Sequence, residues 1–182
     1  IYFYFEAYDF SMNLGRSPTY YTYVYDNVPP TLVNDLSPTA GTTGDRFDIM
    51  ITMNDNIGIG YAYVVYWFGT GSPSSRSLSI GGGGYGANQL GTTTINIPSN
   101  SMDNLYYYYD FMDYDGNYWS SGPSSTFNIS VSDNDAPVLT SVISPTSTTT
   151  GESTYFSFRF VDNIDGTAIA GAAVNYSYNN DW

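Results

Sequence analysis

The sequence predicts an all-β protein of tandem sandwich domains, one complete and two partial. Three observations carry this: a long internal repeat, apolar residues alternating at a period of two, and the absence of a helical period. Asp26-Asn27-Val28-Pro29-Pro30-Thr31-Leu32 returns as Asp133-Asn134-Asp135-Ala136-Pro137-Val138-Leu139, an offset of 107 (133 − 26). Ser37-Pro38-Thr39, Thr42-Thr43-Gly44 and Asp55-Asn56-Ile57 recur at the same offset, so that 13 residues coincide in one register. A repeat of that length is one domain. The boundaries that follow are the last strands of a preceding repeat at 1–25, a complete repeat at 26–132, and the first strands of a following repeat at 133–182.

Taken in order, residues 1–25 read as two strands and a loop. Phe3, Phe5 and Ala7 alternate with Tyr2, Tyr4 and Glu6; a turn runs from Asp9 to Pro18, and a second strand spans 20–24. The complete repeat closes on the same pair, with 106–110 leading through Asp113-Tyr114-Asp115-Gly116-Asn117 to Phe127, Ile129 and Val131. The offset is 104 before that loop (113 − 9) and 107 after it (131 − 24), which predicts a three-residue insertion inside the loop. Five more strands precede the pair: 31–36, one carrying Phe47, Ile49, Ile51 and Met53, one carrying Ala62, Val64, Tyr66 and Phe68, then 74–80 and 92–97. The following repeat echoes two of those faces with Phe156, Phe158 and Phe160, and with Val174, Tyr176 and Tyr178. Seven short alternating strands in one repeat are the pattern of an immunoglobulin-like sandwich, here without its disulfide.

Composition narrows the function. The hydrophobic share of 42% supports a packed core, and the 18% aromatic share favours strands. A net charge of −13, with four Arg and no Lys, repels a phosphate backbone and so argues against a nucleic-acid partner. No apolar run is long enough to span a membrane as a helix. The absence of Cys and His removes thiol chemistry, thiolate or imidazole metal sites and His-based acid–base catalysis. Serines therefore have no neighbouring His or Lys as a base, and no enzyme active site is expected. Ile1-Tyr2-Phe3-Tyr4-Phe5 lacks an initiator Met and a signal-peptide pattern, so a native start is not expected here. The run Gly81-Gly82-Gly83-Gly84-Tyr85-Gly86 lacks the Lys and the following helix of a phosphate loop and reads as a turn.

The repeated linker, the Ser-Pro-Thr and Thr-Thr-Gly turn, the Asp-Asn-Ile loop and the Asp-x-Asp-Gly-Asn loop resemble tandem immunoglobulin-like and cadherin-like repeats of bacterial and archaeal cell-surface proteins. That resemblance implies an extracellular structural array, forming a fibre, stalk or surface layer through contacts between copies of itself. An adhesin or carbohydrate-binding stalk is the alternative, and the accessory region of a secreted hydrolase a third.

In such a sandwich the incoming linker, the second–third loop and the sixth–seventh loop share a pole. Asp26, Asp55, Asp113 and Asp115 would gather there in the complete repeat, and Asp133, Asp135, Asp162 and Asp165 in the next. Asp45 and Asp103 would face the junction from the opposite pole. Converging hard oxygens suit calcium, and cadherin-like repeats rigidify their junctions in this way; ordinary Asx-turn chemistry is the simpler account. Asn128-Ile129-Ser130 and Asn175-Tyr176-Ser177 are N-glycosylation acceptor patterns on outward strand positions. Tyr2/Tyr4 and Tyr106/Tyr108 form the expected outward aromatic stripes. Neither partial repeat can close a core alone. Phe3, Phe5, Tyr23 and Val24 are therefore expected to pack against Phe156, Phe158, Val174 and Tyr176 of a neighbouring copy, or against equivalents in an adjoining segment.

Overall fold

The computed structural model of the protein describes residues 1–84, 88–164 and 166–169. Regular structure among them is almost entirely strand. Four short strands come first: β1 (Tyr2–Phe3), β2 (Glu6–Tyr8), β3 (Leu14–Arg16) and β4 (Tyr20–Tyr21). The central body follows, with β5 (Thr31–Asp35), β6 (Ala40–Thr42), β7 (Arg46–Asn54), β8 (Ile59–Phe68), β9 (Ser74–Ser77) and β10 (Ser79–Ile80). It continues through β11 (Gln89–Asn96), β12 (Leu105–Asp113), β13 (Tyr118–Ser120) and β14 (Phe127–Ser132). A last pair comprises β15 (Val138–Ile143) and β16 (Ser157–Val161). No helix among the described residues is long and apolar enough to cross a membrane.

Two sheets enclose the central core. One has the order β10-β11-β7-β5 and the other β6-β14-β12-β8-β9, with β13 also paired to β12. Every pairing is antiparallel except β6 with β14. The alternation seen in the sequence is realised side chain by side chain. Phe47, Ile49, Ile51 and Met53 of β7 and Leu105, Tyr107, Tyr109 and Phe111 of β12 all point into one apolar cluster. Each such side chain, taken out of water, contributes roughly 1.5–3 kcal/mol before conformational entropy is counted. Two phenols also need partners in this core. Tyr107 and Tyr109 both donate to Asp35 Oδ2, at 3.0 and 2.9 Å, and so tie β12 to β5 across the sandwich. Burial, joined by the charge of Asp35, pushes both phenols well above the usual tyrosine range.

Four elements depart from the sequence reading, the first being β3, which lies within the turn expected from Asp9 to Pro18 and pairs with β2. The strand expected at 74–80 divides, because β9 pairs with β8 whereas β10 pairs with β11 in the other sheet. Leu78, between them, is buried, and its amide bonds the Ala62 carbonyl. β6 and β13 lie where the sequence predicts turn and loop. β6 gains its pairing from the distant β14, and β13 carries Trp119 onto Phe111, with ring centroids 4.9 Å apart. The glycine run holds a short 3-10 turn at Gly81–Gly84.

The flanking segments reproduce the central ladders. β5 pairs β7 through Thr31↔Asn54, Leu32↔Met53, Asn34↔Thr52 and Asp35↔Ile51, with a register shift after Leu32. β15 pairs β16 through Val138↔Val161, Leu139↔Phe160, Ser141↔Arg159 and Val142↔Phe158, with its shift after Leu139. Every partner is displaced by the same 107 residues (138 − 31), irregularity included. At the other end, Glu6↔Arg16, Ala7↔Gly15 and Tyr8↔Leu14 repeat Asp110↔Ser120, Phe111↔Trp119 and Met112↔Tyr118 at an offset of 104 (110 − 6). Tyr2↔Tyr21 and Phe3↔Tyr20 repeat Tyr106↔Asn128 and Tyr107↔Phe127. The three-residue insertion is thereby narrowed to the segment after β13, where a 3-10 turn occupies Pro123–Ser125.

Candidate metal centre at one pole of the sandwich

Strand register forces three carboxylates together. Thr31 at the start of β5 pairs with Asn54 at the end of β7, so the incoming linker lies beside the β7–β8 turn. Asp113 at the end of β12 pairs with Ile59 at the start of β8, bringing the β12–β13 turn to the same pole. The ladder is irregular there, and a Cβ added at Gly60 would stand 2.7 Å from the Asp113 carbonyl oxygen. Glycine at that position lets the two strands close. One carboxylate oxygen from each of Asp26, Asp55 and Asp113 then lies within 4.8 Å of the others.

Each carboxylate is held separately. Asp55, only 7% exposed, accepts the backbone N–H groups of Ile57 and Gly58 on Oδ2, at 2.9 and 2.7 Å. Asp113, 2% exposed, accepts the Asn117 backbone N–H on Oδ1 at 2.8 Å and the Asn117 side-chain amide on Oδ2 at 2.7 Å. Burial opposes charge on Asp113, but these bonds, joined by the Gly116 and Asp115 amides, outweigh it and hold the carboxyl below its usual range. Asp26 Oδ1 accepts from the Val28 amide at 3.1 Å and from the Asn56 side chain at 2.8 Å. Asp115 stands one step outside: its Oδ2 accepts the Asp26 N–H at 2.9 Å, while Asn117 donates to the Asp26 carbonyl at 3.1 Å.

Two buried oxygens are left over. Asp26 Oδ2 and Asp55 Oδ1 have no hydrogen-bond partner. Native proteins seldom leave a buried carboxylate oxygen unsatisfied. Ionised carboxylates 4.8 Å apart repel by roughly 3 kcal/mol per pair at an effective dielectric of about 20. A cation removes both penalties. Two oxygens bound to one calcium at ~2.4 Å stand at most ~4.8 Å apart, and all three carboxylates meet that limit pairwise. The donor set is all hard oxygen, as calcium or magnesium requires and as zinc does not.

The second linker makes a different junction. Thr43, fully buried in the turn after β6, donates from Oγ1 to Asp133 Oδ1 at 2.9 Å. The Asn134 amide reaches Asp45 Oδ2 at 2.9 Å, and Asn163 Nδ2 bonds both the Ser99 carbonyl at 2.8 Å and Asp135 Oδ2 at 3.1 Å. Asp162 Oδ1 accepts the Ile164 N–H in an Asx turn. Gly44, with φ 72°, lies against the Asp135 carboxylate, which a Cβ there would approach to 3.2 Å. Asp45 thus reaches the junction through an amide, while Asp103 packs on Gly69. Asp165 lies outside the described residues, and Asp133, Asp135 and Asp162 form no cluster like that of Asp26, Asp55 and Asp113 among those described.

Asn128 is exposed on β14, whereas Asn175 lies outside the described residues. Phe3, Phe5, Tyr23, Val24 and Phe156 are exposed and Phe158 is half-buried; Val174 and Tyr176 lie outside the described residues. Sequence reasoning missed Asn56, Asn117, Asn163 and Thr43, the neutral donors that fix the carboxylates. For Asn56 and Asn163 the signal was present in the recurring Asp-Asn pairs at 55–56 and 162–163. No protein-family model matches the chain, and no curated protein matches it.

Proposed function

We propose that this chain is a section of an extracellular structural array of immunoglobulin-like repeats, a microbial fibre, stalk or surface layer, with calcium stiffening its domain poles. One observation carries the reading: the central body shares one set of ladders with the segment before it and another with the segment after it, while each linker is bonded into a sandwich pole. The order β10-β11-β7-β5 facing β6-β14-β12-β8-β9 supports an immunoglobulin-like sandwich. Calcium is supported by the two unsatisfied buried oxygens beside Asp113. Asp26, Asp55 and Asp113 would hold the ion, and Asp115 would orient Asp26. A bound ion cross-links the linker to two loops of the domain that follows it, so a flexible hinge becomes a strut.

The role is mechanical rather than catalytic. Exposed Phe3, Phe5 and Phe156 supply apolar surface for contacts between copies, or between adjoining segments, in a linear assembly. Electron microscopy of the material from source cells tests the reading. Uniform filaments, stalks or a surface lattice are expected in calcium, with loss of stiffness in chelator. Isolated globular particles in both conditions would overturn it.

A further inference from the structure

One row of side chains crosses the outer face of the larger sheet. Asn128 of β14 is directly opposite Tyr106 of β12, and Tyr106 is directly opposite Trp67 of β8. The Trp67 and Tyr106 rings lie near-parallel, 14° apart in plane, with centroids separated by 5.7 Å. Tyr108 meets Trp67 edge-on at 6.3 Å. Asn128 is exposed and begins Asn128-Ile129-Ser130. The geometry points to a saccharide platform: a neutral glycan attached to Asn128 folds back over Tyr106 and Trp67 and packs on their rings.

The chemistry suits a sugar better than the other candidates. A pyranose presents one face of C–H groups, which meets the electron-rich face of an aromatic ring, while its hydroxyls stay in water. A hexose ring is about as wide as the ~4.8 Å spacing between strands, so the first two sugars fall in step with Tyr106 and Trp67. The net charge of −13 disfavours an acidic glycan and also a second copy of the same face. The first segment supplies an internal comparison. At the equivalent positions Tyr2 is opposite Tyr21, and the two rings lie 6.1 Å apart. Where no acceptor exists, the place beside the tyrosine on this row is taken by another ring. The complete repeat has Asn128 there instead, and the attached sugar supplies the missing cover.

This inference rests on the extracellular reading above, but its test is read on single chains and is independent of filament formation. The chain is produced in a host that glycosylates secreted proteins, with Trp119→Phe and Trp182→Phe leaving Trp67 as the sole tryptophan, excited selectively over tyrosine. Peptide masses should show glycan on Asn128. Relative to enzymatically deglycosylated chain, quenching of Trp67 by acrylamide should fall about twofold and Tm should rise by roughly 2–5 °C. Ser130→Asn supplies the decisive control. It destroys the acceptor at Asn128 and creates one two residues along the same strand face, with Val131 and Ser132, away from the aromatic row. Glycan there should leave Trp67 quenching unchanged, and Tyr106→Thr should abolish the Tm gain of the natural site. Equal shielding from both attachment points, an unchanged gain in Tyr106→Thr, or an unmodified Asn128 would each overturn the platform.

Discussion

The two linkers share the Asp-Asn start and the later proline, yet they make unlike junctions. At the first, Asp26 joins Asp55 and Asp113, and two buried oxygens lack partners. At the second, Asp133 and Asp135 accept from Thr43 and Asn163, Asn134 reaches the facing turn at Asp45, and the buried oxygen without a partner belongs to an amide, Asn163 Oδ1, rather than a carboxylate. The difference lies in what converges. The first pole has the β12–β13 turn to supply a third carboxylate, whereas among the described residues the second linker meets hydroxyl and amide donors. A linker alone does not make the site. The cluster requires two loops of the domain that the linker enters.

The largest expected effect separates the poles outright. Calcium at about a hundred times its dissociation constant should stabilise the complete repeat by ~2.7 kcal/mol, a rise of roughly 10 °C in Tm. Asp55→Asn should abolish that rise, because it removes an ion ligand while keeping an acceptor for the Ile57 and Gly58 amides. Asp162→Asn, the equivalent change at the second linker, should leave the rise intact. Differential scanning calorimetry in calcium, magnesium and chelator measures all three. Equal losses from both variants would erase the distinction between the junctions.

An intermediate effect probes the amide-built junction. Thr43→Val keeps shape but removes the hydroxyl that donates to Asp133 Oδ1. With the Asp133 carboxylate left short of a donor, the expected cost is about 1–2 kcal/mol, independent of calcium. Small-angle scattering should show a wider spread of orientations between the central body and the segment after it. A calcium-dependent response of Thr43→Val would mean that this junction also holds an ion.

Much of this was legible in the sequence, and the gaps have physical causes. Alternation marked the inward faces of β7 and β12 because a period of two follows from the pleat, whatever the tertiary context. It could not reveal that 74–80 changes sheets. Ser77-Leu78-Ser79-Ile80 alternates identically on either side of the switch, and the partner strand is a non-local choice. β6 was hidden for a related reason: Ala40-Gly41-Thr42 has no apolar signature, and its pairing is supplied by residues 130–132. At the site, Asp26, Asp55 and Asp113 were legible once the loops were assigned to one pole. Asn117 was not, since an uncharged amide in a turn looks like turn chemistry until its carboxylate partner is seen.

The smallest expected effect tests how the carboxylates are held. Asp9 and Asn13 at the start of the chain copy the Asp113–Asn117 turn, with the Asn13 backbone N–H on Oδ1 at 2.9 Å and its side-chain amide on Oδ2 at 2.8 Å. There the turn is exposed, and neither Asp26 nor Asp55 is part of it. The two carboxyls are depressed for the same reason: hydrogen bonds from that asparagine. Each turn therefore sets its own carboxylate, before any ion or neighbour acts. Asn117→Ala should lower calcium affinity about tenfold, since it frees Asp113 and also breaks the bond to the Asp26 carbonyl. Asn13→Ala should leave calcium affinity unchanged and move the main unfolding transition by less than about 0.5 kcal/mol, as an exposed surface change does. Isothermal titration on the two variants decides the matter. Matching losses of affinity would mean that the first turn contributes to the ion site.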